Sequence, residues 1–148
     1  MCPQIYDNTD CFWTSQGDYY LGDDGDLMDT ESDPLRSLVQ EVRTRAAADP
    51  GDWAVFPTVG AGLRDFVGEP NNARNAEMIK ARLLAALAKE GLINTRDMEI
   101  KYLPVTLDKL LVRLTVRVAP TAKNAGSQYI TTTVVYSYSD NNVYIMGA

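Results

Sequence analysis

Residues 17–33, GDYYLGDDGDLMDTESD, carry seven acidic side chains and no basic one, and clustered carboxylates are first of all calcium chemistry. An EF-hand loop needs oxygen ligands at its first, third and fifth positions, glycine at the sixth and a bidentate Glu at the twelfth. Setting Gly25 as the loop glycine puts Asp24 and Glu31 in ligand positions. It also puts Tyr20 and Gly22 where oxygens are required. Setting Gly22 there starts the loop at Gly17, which is no better. The spacing therefore predicts a solvated turn: Asp tolerates left-handed backbone and Gly supplies positive φ.

The chain has no histidine and two cysteines, Cys2 and Cys11, which excludes Ser-His-Asp and Cys-His catalysis and leaves a zinc site short of ligands. The two thiols are expected to be free. Acid–base chemistry would rest on carboxylates, lysine or tyrosine. A muramidase-type hydrolase needs two carboxylates across a cleft, one with a raised pKa. Glu41, Glu69 and Glu90 are candidates, but nothing in the sequence pairs them, and acids on helix surfaces are usually solvated. The expectation is no catalytic residue, no metal and no cofactor.

The elements that position these residues follow from periodicity. Tyr19–Leu21 and Leu27–Met28 flank Asp23-Asp24-Gly25-Asp26 as a hairpin. Asp33-Pro34 then opens a helix, Asp as cap and Pro where its missing N–H costs nothing. Leu35, Leu38, Val39, Val42 and Ala46 give it one apolar stripe, and Arg43 and Arg45 suit the negative end of its dipole. Trp53, Val55 and Phe56 read as buried, Gly60 and Gly62 as a tight turn, and 63–67 as a short helix. A second long helix over about 72–90 carries the stripe Ala76, Ile79, Leu83, Ala86 and Leu87, with Gly91 placed for its cap.

The remainder alternates as strands do. Met98, Ile100 and Tyr102 form one face, and Val112, Leu114, Val116 and Val118 another, with Arg113, Thr115 and Arg117 pointing the opposite way. Residues 129–139 are rich in Thr, Val and Tyr, and a turn at 140–142 leads to a last strand, 143–146. The fold class is α+β: an N-terminal acidic hairpin, two main helices and a short one packed on an antiparallel sheet. An arm over 1–16 precedes a single domain over 17–148, in which 119–148 is an extra C-terminal β segment. No internal repeat is expected. No run is long enough to span a membrane and the start is unlike a signal peptide, so a cytosolic origin is expected.

Net charge is −6, but the first 35 residues hold nine acids and no Lys or Arg, leaving the rest with 11 acids against 14 bases. That polarity suits a subunit docking head to body on basic neighbours. It does not suit duplex nucleic acid, which needs clustered cations.

The order of these pieces resembles the baseplate wedge family of contractile phage tails, whose members also occur in type VI secretion baseplates. GDLMDTESDPLRSLVQEVRTR resembles the family's acidic hairpin and Gln- and Arg-bearing helix, and GDWAVFPTVGAGLRDFVGEP its aromatic, Pro and Gly turn. NNARNAEMIKARLLAAL resembles its second helix, and MEIKYLPVTLDKLLVRLTVRV its closing hairpin. The resemblance covers about residues 17–118. Many members carry Glu-Pro-Arg after the second helix. Here Glu90-Gly91-Leu92 keeps only the Glu, and Arg96 is the candidate substitute for the arginine.

The resemblance implies a non-catalytic virion subunit, assembled in the host cytoplasm, in multiple copies around the tail axis. Its partners would be other baseplate wedge proteins and the tail sheath, close to the tail tube, with no nucleic acid and no membrane. Part of the family is labelled lysozyme-like, which makes a muramidase-type hydrolase one alternative; a tail-completion adaptor is the other. The resemblance also implies that the sheet accepts a neighbour's extended arm along an edge. The 129–139 strand, free of Pro, Lys and Arg, is the expected acceptor through residues such as Thr131 and Thr133, with Arg113 and Arg117 nearby. The competing expectation is that this strand is internal, flanked on both sides.

Overall fold

The computed structural model describes residues 10–14, 18–31, 34–106, 109–118, 128–137 and 142–146. The chain divides into two compact units, Met1–Val42 and Arg43–Ala148, with the division inside the first helix.

In the N-terminal unit the expected hairpin forms, with Leu21 paired antiparallel to Leu27 across the Asp-Gly turn. It is one arm of a larger motif. Trp13 pairs with Tyr19 and Cys11 with Asp29, also antiparallel. Three long strands cannot all be mutually antiparallel, because two antiparallel partners of a third run parallel to each other. Short segments that cross as a pinwheel can, at one bridge per pair. The centre is a closed ring of backbone hydrogen bonds: Phe12 N–H donates to Met28 O (2.8 Å), Met28 N–H to Tyr20 O (2.9 Å) and Tyr20 N–H to Phe12 O (3.0 Å). An outer set repeats the pattern, with Thr14 donating to Asp18, Gly22 to Asp26 and Thr30 to Asp10.

Every element of this pinwheel recurs eight residues later: Asp10, Asp18 and Asp26; Phe12, Tyr20 and Met28; Thr14, Gly22 and Thr30. The expectation of no internal repeat is therefore corrected. The repeat escapes notice because it is carried by backbone pairing and by three loosely matched positions per copy.

The first helix, α1, spans Pro34–Ala47. Asp33, its expected cap, lies outside the described residues, as does Cys2. The helix ties down the pinwheel: Gln40 Oε1 accepts from Trp13 N–H (2.7 Å), and its Nε2 donates to Cys11 O (3.1 Å). The Arg36 guanidinium lies 4.8 Å from the centroid of the Phe12 ring. Cys11 has no disulfide partner among the described residues.

In the second unit, Arg43–Ala47 ends α1 and a turn-rich segment follows. Trp53, Val55 and Phe56 are not buried as expected: they are 44%, 80% and 59% exposed. Successive tight turns account for this. Asp52 N–H reaches Asp49 O, Phe56 N–H reaches Trp53 O, and Val59 N–H reaches Phe56 O. A chain that satisfies its backbone locally is free to run over the surface. The expected Gly turn is present. At Gly60 φ is +125°, and an added Cβ would lie 2.5 Å from Ala48 O. A short 3-10 turn, Leu63–Phe66, buries Leu63 and Phe66.

The second helix, α2, spans Ala73–Ala88 and starts at Asn72, whose side chain accepts from Asn75 N–H. Ala76, Ile79, Leu83, Ala86 and Leu87 are all buried, as the stripe predicts. The helix packs against the 3-10 turn and the first strand. Four strands, β1 (Met98–Thr106), β2 (Lys109–Val118), β3 (Gln128–Ser137) and β4 (Asn142–Met146), form one sheet in sequence order. All three pairings are antiparallel. The inward face carries Ile100, Leu110, Val112, Leu114, Val116 and Val118 into the core. Two helices, a short helical turn and an antiparallel sheet make the fold α+β.

Candidate functional site

The opposite face of the sheet gathers most of the residues singled out in the sequence. Register sets the rungs. Lys101 stands opposite Arg113, and Arg113 opposite Thr133. Glu99 stands opposite Thr115, and Thr115 opposite Thr131, while Arg117 stands opposite Tyr129. Since side chains alternate across a strand, these residues share one face. Arg113, Arg117 and Thr131 are exposed and Thr133 is half-buried. Tyr129 is 66% exposed. Arg113 and Arg117, about 13 Å apart along one strand, make no ion pair among the described residues. Lys101 binds Glu99 at 2.7 Å. That hydrogen bond and then the Lys101 charge hold the Glu99 carboxyl below its ordinary range; burial opposes them, and the Arg113 charge adds least. The face is cationic and rich in hydroxyls, suited to carboxylates and to extended backbone.

The edges of the sheet bear on the acceptor-strand expectation, and the outcome is divided. β4 pairs with β3 only over Thr133–Ser137. There β3 is internal, so that half is corrected: its donors and acceptors are taken on both sides. Over Gln128–Thr132, β3 pairs with β2 alone among the described residues. Residues 138–139 lie outside them. The outer side of β1 likewise has no described strand beside it, and it carries Leu103 and Val105, 60% and 54% exposed.

Glu90 and Arg96 lie elsewhere. Arg96 is exposed in a short 3-10 turn, Thr95–Asp97, its N–H held by the Asn94 side chain. Glu90 follows α2 and is the one non-glycine residue with positive φ, at +59°, among those described. Its carboxylate meets Arg45 Nη2 at 2.9 Å. Arg45 is only 6% exposed, and its Nη1 also donates to Ala86 O and Lys89 O, both at 3.2 Å. A helix leaves its last carbonyls without internal partners; here the guanidinium from the other helix takes Ala86 O and shares Lys89 O, just past the helix, with Leu92 N–H, while Ile93 N–H takes Leu87 O. Arg45 was read only as a partner for its own helix dipole. The signal that it serves α2 is long-range and absent from local pattern. The arginine that Glu90 binds is Arg45.

Comparison with protein-family models, with curated proteins and with solved structures returned no match to this chain. Among the described residues no group of three or more Cys, Asp or Glu could hold a metal ion, and no helix is long and apolar enough to cross a membrane.

Proposed function

We propose that this chain is a non-catalytic structural subunit of a contractile phage tail baseplate, which binds wedge neighbours around the tail tube and starts the sheath. The reading rests on the resemblance in the order of four sequence pieces. The observation that carries it is the outer sheet face: Arg113 and Arg117, without ion-pair partners among the described residues, beside a stretch of β3, 128–132, which among those residues has β2 on one side only. An unpaired strand presents N–H and C=O groups that a partner's extended backbone satisfies, so such a contact depends little on side-chain identity. In this role Thr131 lies on the accepting stretch and Thr133 at its limit. The guanidiniums steer an acidic partner and fix its register.

The test is localisation. Tails assembled with a tagged copy and imaged by electron microscopy should carry the tag at the baseplate, beside the tube. A tag at the head-proximal end would favour a tail-completion adaptor and overturn the reading. Purified protein should leave cell-wall turbidity unchanged; clearing of the suspension would favour a hydrolase.

A further inference from the structure

The two units carry opposite net charge, and each has charged side chains that form no ion pair among the described residues. On the pinwheel, Asp18, Asp23, Asp24, Asp26 and Asp29 are all exposed. None of them makes an ion pair among the described residues. Several carboxylates concentrated without counter-charge repel one another, a cost that a cationic surface removes. The outer sheet face offers that surface in Arg113 and Arg117; Lys101 beside them is already paired with Glu99. Apolar character matches as well. The pinwheel displays Tyr19, Leu21 and Leu27 at 55%, 60% and 49% exposure, and the sheet displays Leu103 and Tyr129 at 60% and 66%.

We propose that the acidic pinwheel of one copy docks on the outer sheet face of a second copy. The partner is this chain itself, and the contact is head to body. It stands independently of the baseplate reading. Such a contact uses two different patches, so it is heterologous. Copies then close into a ring, exchange heads as a pair, or run on as a filament, according to the rotation between neighbours. The attraction lies between exposed charges, so it is long-ranged at low salt and largely screened once the Debye length falls to about 3 Å near 1 M salt.

The test uses the full chain in sedimentation velocity, from micromolar to several hundred micromolar, at low and high salt. At low salt the average mass should rise with concentration above that of one chain, and high salt should return it to the monomer. Two charge reversals separate the patches. R113E/R117E alters only the face. D18K/D23K alters only the pinwheel, at two aspartates whose side chains make no hydrogen bond among the described residues. Each variant, with a circular dichroism spectrum unchanged from the parent, should associate at least about tenfold more weakly. That corresponds to a few exposed pairs lost or reversed. Mixing the two variants should restore a pair, because the unaltered pinwheel of R113E/R117E still meets the unaltered sheet face of D18K/D23K. A parent that stays monomeric throughout would overturn the proposal. So would association that ignores salt, or a mixture of the two variants that associates as weakly as either alone.

Discussion

Replacing Arg45 by Met keeps the length and apolar character of the stem and removes only the charged fork. Hydrogen bonds to Glu90, Ala86 and Lys89 are among those lost, and these three are not equal. The bond to Glu90 involves a carboxylate side chain that is 51% exposed, so solvent screening limits it to at most about 1 kcal/mol. The bonds to Ala86 O and Lys89 O share one nitrogen at 3.2 Å each. Together they count as one good charge-assisted bond, about 1.5–3 kcal/mol, which includes leaving a buried carbonyl unpaired. Arg45→Met should therefore cost about 2–4 kcal/mol in urea unfolding, with the slope against urea unchanged. Arg45→Lys should cost about half as much, since one ammonium cannot span the acceptors a planar fork reaches. Glu90→Gln should cost under about 1 kcal/mol. Glu90→Gly should be near neutral: it loses the same pair but frees a side chain from left-handed backbone, a relief of about 1 kcal/mol. A loss under about 0.5 kcal/mol for Arg45→Met would refute the carbonyl clamp. A loss for Glu90→Gln as large as for Arg45→Met would show that the ion pair dominates.

Leu83→Ala, at a fully buried position, should cost about 2–5 kcal/mol, while Phe56→Ala should cost under about 0.5 kcal/mol because its ring is in water; the same urea series checks both. The Glu99 carboxyl should titrate by NMR below its ordinary 4.5 and move back up in Lys101→Met. Its folded pKa is depressed, so its contribution to stability is present above the unfolded value and fades as pH falls through the folded one. In native-state hydrogen exchange, the amides of Val134 and Val135 should all be protected, being flanked by β2 and β4. Within residues 128–132 every second amide should exchange quickly; uniform protection there would mean that the edge is covered.

The legible parts of the fold are those in which a residue's fate depends on near neighbours. The α2 stripe and the alternation of β2 follow from periods of 3.6 and 2, and every apolar position named in them is buried. Residues 53–56 are apolar in type but not buried, because consecutive turns fix their backbone without any core. β3 was legible as a strand but not in its surroundings: how far β4 runs beside it is decided by pairing between distant segments. The same holds for the site. Arg113 and Arg117 fell on one face by simple alternation. Tyr129 and Lys101 joined them only through register, and Arg45 acts on carbonyls contributed some forty residues away.

The ring of hydrogen bonds through Phe12, Tyr20 and Met28 changes how the N-terminal unit bears a load. A β-ladder has ends, and a pull along its edge opens it one bond at a time, each rupture passing the force to the next. A ring has no terminal bond at which peeling can begin. Tension drawn through any of the three segments is shared with the other two, and once one bond parts the remaining pair no longer closes the circuit. Such a unit should hold its length under rising force and then give way in one step, more like a clasp than a zipper.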